Sequence, residues 1–132
     1  MLRYYEAMES LKGKVVSGDG RGGEIGFPTL NLPYEGELEG VYVAEVSFDG
    51  RKYGAAVNLG KRPTFDSDLK FCELHILDFD DSMTEGSELE VNFIERIREV
   101  KKFTSIEELV KQIKDDVAFA KNCYTEHRNN KI

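Results

Sequence analysis

The chain has 132 residues, of which 40% are hydrophobic and 33% charged, with 8 Phe, 6 Tyr and no Trp. A chain of this length buries roughly two thirds of its unfolded surface, which predicts one compact domain and excludes a disordered or collagen-like protein. The formal charge of −7, from 25 acidic and 18 basic residues, repels a nucleic-acid backbone except at a local basic patch. General nucleic-acid binding is therefore not expected.

Cysteine content and hydropathy indicate the compartment. Cys72 and Cys123 are too few and too far apart for a disulfide framework or a cysteine-based zinc site. No apolar run approaches the ~18 residues that a membrane helix needs, and the N-terminus lacks the basic and then apolar order of a signal peptide. These features predict a soluble cytoplasmic protein without a membrane partner.

The first three quarters of the chain have the pattern of β structure, with short β-branched or aromatic runs separated by Gly, Asp, Asn and Pro. Strands are predicted at residues 14–17, 40–48, 51–57, 71–77 and 88–97. Between the second and third of these runs, Asp49-Gly50 suits a type I′ turn, because both central residues of that turn need a positive φ. The sequence therefore predicts a β-hairpin across residues 40–57.

After Phe103 the hydrophobic period changes from two to 3.6. Ser105 and Glu108 match a capping box, with Ser105 as the N-cap. Six apolar residues then share one helical stripe: Ile106, Leu109, Val110, Ile113, Val117 and Ala120. This pattern predicts a helix over about residues 105–122, packed on a sheet or barrel, and then a polar, frayed tail at 125–132.

These elements favour a small antiparallel β-barrel over about residues 11–98, closed by five or six strands and followed by one helix. Closure removes the exposed edges that a small open sheet would present. An open α+β sheet is the alternative. No repeat, linker or low-complexity tract divides the chain.

A glycine-rich segment is the most unusual stretch of the sequence. Five glycines occupy nine positions: Gly18, Gly20, Gly22, Gly23 and Gly26. Glycine lets backbone N–H groups approach a phosphate closely, although a mobile surface loop fits the same composition. Pro28 and Pro33 exclude the helix that follows the dinucleotide fingerprint, and no Gly-Lys-Ser/Thr sequence completes a Walker motif.

Thr29 and Asn31 place a hydroxyl and an amide oxygen on the same side of the chain if this stretch is extended. Neutral oxygens of this kind suit Mg²⁺, which keeps several waters and takes further ligands from substrate phosphates. The alternative is a local turn in which both side chains only satisfy nearby backbone groups.

Glu73 and His75 alternate with the apolar residues Cys72, Leu74 and Ile76. The two polar side chains therefore point away from the core of the predicted strand. They are either ordinary solvent-facing residues or, if a loop covers that face, part of a site. Neither the two histidines nor the cysteines have the spacing of a metal site or a catalytic triad.

The segment between the last strand and the helix carries four cations and an aromatic ring, namely Arg96, Arg98, Lys101, Lys102 and Phe103. This connector is either solvated or part of a ligand-binding loop.

Taken together and in this order, the segments resemble the riboflavin kinase (flavokinase) family. The motifs that carry the resemblance are Gly26-Phe27-Pro28-Thr29-Leu30-Asn31 for G-[FI]-P-T-x-N, Gly40-Val41-Tyr42 for G-[VI]-Y, Glu73-Leu74-His75-Ile76, and Arg96 to Phe103. The module occurs alone in eukaryotes and as the C-terminal part of bifunctional bacterial FAD synthetases. The resemblance implies a six-stranded antiparallel Greek-key barrel with a C-terminal helix, forming a single domain over residues 1–132.

The resemblance also implies an activity, the transfer of the γ-phosphate of ATP to the 5′-hydroxyl of riboflavin, giving FMN and ADP. It implies that Glu73 is the catalytic base and that Thr29 and Asn31 hold Mg²⁺ or another divalent cation. The nucleotide and its phosphates would contact Gly18, Gly20, Gly22, Gly23, Gly26, Thr29, Ile76 and Asp78. Arg98, Lys101 and Phe103 would bind the flavin. The expected partners are these small molecules, with no nucleic acid or membrane, and the expected state is a monomer.

Two positions depart from the family pattern. Glu85 stands where the family usually has a tyrosine near the nucleotide base, and Glu24 adds a negative charge to the glycine-rich segment. An alternative function is therefore a catalytically weak flavin-binding relative that senses or carries flavin. A small barrel that binds single-stranded nucleic acid is a third hypothesis, disfavoured by the charge of −7.

Overall fold

The computed structural model describes residues 9–16, 29–61, 69–78 and 83–130. Within these ranges the chain forms six strands and one helix. They are β1 (Ser10–Lys14), β2 (Leu30–Tyr34), β3 (Gly40–Phe48), β4 (Arg51–Lys61), β5 (Lys70–Ile76), β6 (Glu88–Arg98) and α1 (Ile106–Asn129).

The strands form one antiparallel sheet in the order β1-β6-β3-β4-β5-β2. The two ends of the sheet meet just after β1, where the Val16 amide donates a hydrogen bond of 2.8 Å to the carbonyl of Asn31 in β2. The sheet is therefore a nearly closed barrel, which confirms the predicted fold class and rules out the open sheet.

Two apolar clusters hold the barrel and the helix together. The barrel interior is filled by alternate residues of the strands, among them Leu32, Val46, Val57, Leu59, Leu74 and Val91, all fully buried. A smaller cluster of Val43, Ala56, Ala120 and Tyr124 lies between the outer face of β3 and β4 and the helix. Because β3 is buried on both faces, its sequence is a nearly continuous run of apolar residues.

The hairpin prediction is confirmed. Asp49 and Gly50 have φ values of 50° and 75°, as a type I′ turn requires. This turn sets the register that pairs Phe48 with Arg51 and Val43 with Ala56.

Three strands differ from the prediction. The strand β4 extends to Lys61 rather than ending at residue 57, because residues 58–61 continue to pair with β5. The first strand covers Ser10–Lys14 rather than residues 14–17, because Val15 and Val16 bond to Ser87 and Asn31 at the junction of the sheet edges. The strand β2, which contains Pro33, was not among the predicted strands. Proline is tolerated there because β2 lies at the end of the strand order and, among the described residues, pairs with β5 along its length and with Val16 at Asn31 alone.

The N-cap prediction for the helix is confirmed. The Ser105 hydroxyl accepts a hydrogen bond of 3.1 Å from the amide of Glu108. The Glu108 carboxylate accepts bonds from the amide and hydroxyl of Thr104, at 3.2 and 2.9 Å, so the reciprocal bond of the box is shifted by one residue. These bonds hold the pKa of Glu108 below its usual value.

The predicted end and stripe of the helix need correction. The helix continues to Asn129, so most of the segment 125–132 is not frayed. Arg128 lies 5.9 Å over the Tyr124 ring, and basic residues in the last turn interact favourably with the helix dipole. Ile106 is 62% exposed, because packing on the barrel begins after the first turn, and Asp116 is buried in the stripe instead.

Candidate functional site

Three polar residues lie side by side on neighbouring strands. In the registers of the sheet, Asn31 of β2 and Asn58 of β4 each lie directly opposite Glu73 of β5. Directly opposed residues have Cβ atoms about 4.5–5.5 Å apart. The sheet therefore forms a row Asn31–Glu73–Asn58, which joins residues from three distant parts of the sequence.

Glu73 occupies the centre of this row because β5 alternates strictly. Its neighbours Cys72 and Leu74 are fully buried in the barrel, whereas the Glu73 side chain is 33% exposed on the outer face. His75 lies beside it, with Nε2 at 3.7 Å from Oε1 of Glu73. Burial lowers the pKa of His75 to about 4, so its imidazole is neutral at neutral pH.

Asn31 has the environment expected of an oxygen ligand. The residue is 3% exposed, and its buried Oδ1 atom accepts no hydrogen bond from the part of the chain that the structure describes. A buried polar atom of this kind is costly unless another group satisfies it. Thr29 is half-buried two residues earlier. A hydroxyl and an amide oxygen fit a hard divalent cation.

A cavity of about 80 Å³ opens beside Glu73 on the side of the helix. Its lining combines the barrel face, the segment after β6 and the helix, and includes Asn58, Glu73, His75, Arg98, Lys101, Phe103, Ile113 and Asp116. The tertiary structure thus brings the predicted catalytic residue together with all three predicted flavin-binding residues. The volume is well below the ~300 Å³ of a small ligand pocket, so a flavin ring enters only if these side chains move.

Arg98 is held at this cavity by a dense set of hydrogen bonds. Its Nε donates to Oδ1 of Asp116 at 3.0 Å and its Nη2 to Oδ2 at 2.8 Å. Its Nη1 donates to the carbonyl of Glu99 at 2.8 Å, and its guanidinium lies 5.9 Å from the centre of the Phe103 ring. Gln112 donates a further bond of 3.0 Å to Oδ1 of Asp116.

Asp116 and Gln112 were missed in the sequence. The available signal was a charged residue inside an apolar helical stripe, three positions after Ile113 and four before Ala120. A carboxylate buried at such a position requires a partner, but the sequence does not show which cation reaches it.

A second, larger cavity of about 590 Å³ lies between the end of β5 and the C-terminal half of the helix. Ile76 and Asp78, both expected at the nucleotide, line it together with His75, Tyr124 and Arg128. The Ile76 side chain belongs to the barrel core, so a ligand here reaches mainly its backbone. Asp78 is exposed, with a φ of 55°.

The five glycines expected to contact phosphates, Gly18, Gly20, Gly22, Gly23 and Gly26, lie outside the described residues.

Two further residues singled out in the sequence, Lys101 and Glu85, are described. Lys101 donates a hydrogen bond of 3.5 Å from its Nζ to Oε1 of Gln112. Glu85 is exposed in the turn before β6.

The fold agrees with the comparison to known families. The family model for riboflavin kinase (Flavokinase) matches residues 6–124. This is most of the 132 residues, and the chain belongs to the riboflavin kinase family.

Individual relatives give the same result. The bifunctional riboflavin kinase/FMN adenylyltransferase of Haemophilus influenzae is 36% identical over 113 residues, which are 83% of this chain and 36% of that protein. The crystal structure of riboflavin kinase from Trypanosoma brucei has a TM-score of 0.59 and 26% identity, covering 88% of this chain and 79% of that one. The chain thus spans about a third of the bacterial relative.

A further crystal structure is named as a macrolide-efflux protein from Streptococcus pneumoniae. It has a TM-score of 0.76 and 37% identity, covering 86% of this chain and 38% of that one. In residues 9–16, 29–61, 69–78 and 83–130 of the present chain, no helix is long and apolar enough to cross a membrane.

Proposed function

We propose that this protein is a riboflavin kinase, which transfers the γ-phosphate of ATP to the 5′-hydroxyl of riboflavin and releases FMN and ADP. Family membership supports this reaction. The observation that carries the proposal is the position of Glu73 between Asn31 and the cavity lined by Arg98. The buried Oδ1 atom of Asn31 has no hydrogen-bond partner among the described residues.

In this proposal Glu73 is the general base. Phosphoryl transfer requires little covalent work from the protein, so positioning and charge stabilisation provide most of the rate enhancement. One carboxylate is enough to orient the hydroxyl and accept its proton.

The metal and the nucleotide phosphates lie on the β2 side of Glu73. Thr29 and Asn31 would hold Mg²⁺, which is supported by the buried Oδ1 atom of Asn31, because no group in the described part of the chain bonds to it. When bound, the cation would neutralise charge on the nucleotide phosphates. The glycine-rich segment and the backbone near Asp78 complete the proposed nucleotide contacts.

The flavin lies on the helix side of Glu73, at the cavity with Arg98, Lys101 and Phe103. Phe103 offers a ring for stacking on an aromatic system, and the two cations suit the negative charge of the product phosphate. We also propose that the enzyme is a monomer, acts in the cytoplasm and uses no nucleic-acid or membrane partner.

The second candidate is a flavin-binding relative without efficient catalysis, favoured by the exposed side chain of Glu85 where the family pattern has an aromatic ring.

One assay distinguishes the two candidates. Flavin-free protein is incubated with riboflavin, ATP and Mg²⁺, and the flavins are separated by chromatography with fluorescence detection. The kinase predicts FMN that requires both nucleotide and metal. Tight flavin binding without FMN formation would favour the second candidate.

The role of Glu73 is tested with Glu73→Gln, which keeps the shape and removes the base. We expect kcat to fall at least about 100-fold, in line with the usual contribution of general base catalysis, while flavin binding is retained. Glu88→Gln, an exposed residue of β6, is the matched control and should have the wild-type rate. An unchanged rate for Glu73→Gln would remove Glu73 from the catalytic role.

A further inference from the structure

The contact between Arg98 and Asp116 joins the end of β6 to the middle of α1. Its two shortest hydrogen bonds run side by side, from Nε to Oδ1 at 3.0 Å and from Nη2 to Oδ2 at 2.8 Å, and Nε also donates to Oδ2 at 3.3 Å. This fork geometry fixes the plane of the guanidinium as well as its position.

Asp116 is itself held on a rigid element. It is 6% exposed, and Gln112, one turn earlier on the same helix, donates 3.0 Å to its Oδ1. One turn later Ala120, fully buried, packs the helix on the barrel. The carboxylate therefore has little freedom to follow Arg98, and Arg98 must adapt to it.

The bonds leave part of the guanidinium available to a ligand. A guanidinium has five N–H groups. Asp116 takes one from Nε and one from Nη2, and the carbonyl of Glu99 takes one from Nη1. Among the described residues the two remaining N–H groups, one on each terminal nitrogen, have no acceptor, and Arg98 lines the cavity that contains Glu73.

We infer that Asp116, supported by Gln112, is a positioning residue that fixes Arg98 so that its terminal N–H groups bind an anionic oxygen of the ligand beside Glu73. This inference rests on the proposed function for the identity of the ligand, a flavin that carries or acquires a phosphate. It assigns a role to two helix residues outside the motifs that define the family resemblance.

A purely structural link is the competing explanation. Partly buried ion pairs contribute little net stability, because desolvation of both charges offsets their attraction. The Arg98 and Asp116 side chains are 20% and 8% exposed, so their stabilising effect alone is a weak reason for this arrangement at the edge of the cavity. A double-mutant cycle separates the two explanations.

The effect of Asp116→Asn is measured in the wild-type and the Arg98→Ala backgrounds. The readouts are kcat, the KM for riboflavin, the KM for ATP and the Kd for FMN. In the wild-type background we expect kcat/KM for riboflavin to fall about 10- to 100-fold, as for loss of a charge-assisted bond, with KM for ATP unchanged. In the Arg98→Ala background the same substitution should have little further effect. The control is Asp115→Asn, an exposed neighbour, which should match the wild type.

The inference would be overturned if Asp116→Asn lowered kcat/KM for riboflavin equally in both backgrounds, or if it left the wild-type rate unchanged. If Asp116→Asn does not fold, Gln112→Ala takes its place in the cycle, with a smaller loss expected in the same direction. If the wild type binds FMN without turnover, the proposed function fails, and the cycle in the Kd for FMN still decides the role of Asp116. A wild type that neither binds nor phosphorylates flavin overturns both.

Discussion

His75 shows how a single residue is controlled by its surroundings. The sequence places it on the outer face of β5, yet its side chain is only 14% exposed. Burial lowers its pKa to about 4, and the nearby charge of Asp116 opposes this change only in part. A neutral histidine in the folded protein therefore becomes a cation more readily after unfolding, which links stability to pH.

We expect the free energy of unfolding to fall as the pH decreases from 6.5 towards 4. In that window the unfolded chain binds a proton at His75 and the folded chain does not, so the native state loses roughly 3 kcal/mol. Denaturant unfolding at several pH values measures this slope. His75→Gln should flatten it, whereas the control His127→Gln should not. The same slope in both variants would contradict the prediction.

At the scale of elements, the packing of α1 on the barrel depends on a glycine in β4, Gly54. A Cβ atom at Gly54 would lie 2.5 Å from Cδ2 and 2.7 Å from Cγ of Tyr124. Tyr124 also donates a buried hydrogen bond of 3.0 Å from its hydroxyl to Oε2 of Glu45 in β3. Glycine at this position therefore lets the helix approach closely enough for that bond to form.

Gly54→Ala should destabilise the protein by about 1–3 kcal/mol, the usual range for overpacking, because the Tyr124 ring must move away. Gly13→Ala is the matched control, since within the described residues its Cβ would meet only Cδ2 of Leu32, at 3.8 Å. Thermal unfolding of both variants measures the difference. Equal melting temperatures would show that the helix adapts to the added methyl group without loss.

For the whole molecule, β5 divides the proposed site into two sides. Asn31 lies on the β2 side of Glu73, and the cavity with Arg98 lies on the β4 and helix side. Each side is built from different segments of the chain. The metal and phosphate contacts at Asn31 and the flavin contacts at Arg98 should therefore be separate groups that meet at β5, the strand that carries Glu73.

We expect that a substitution in one half of the site abolishes binding of the ligand on that side and leaves binding of the other ligand intact. Ligand at 100 times its Kd stabilises a native protein by ~2.7 kcal/mol, which a thermal shift assay detects. Asn31→Leu should abolish the shift caused by ADP with Mg²⁺ and keep the shift caused by FMN, and Arg98→Ala should have the opposite pattern. Loss of both shifts in either variant, with the fold intact, would contradict two separable sides.

Local patterns were enough to predict many elements. The type I′ turn at Asp49-Gly50, the N-cap at Ser105 and the alternation in β5 all depend on residues close in sequence, and these were predicted. The strand β2 was missed because its pairing with β5 is a contact between distant segments, which outweighs the local effect of Pro33. The helix end was missed because Arg128 is held over Tyr124, a contact that a polar composition does not reveal.

The sequence by itself determined the barrel with its terminal helix, the family, and the candidates Glu73, Thr29 and Asn31, because short-range periodicity and motif order carry that information. Only the tertiary structure decided that Asn31 faces Glu73 across β2 and β5, and that Arg98 is held by Asp116. Strand register and helix docking bring together residues that are far apart in the chain. Such contacts follow from packing the whole molecule, and no local pattern specifies them.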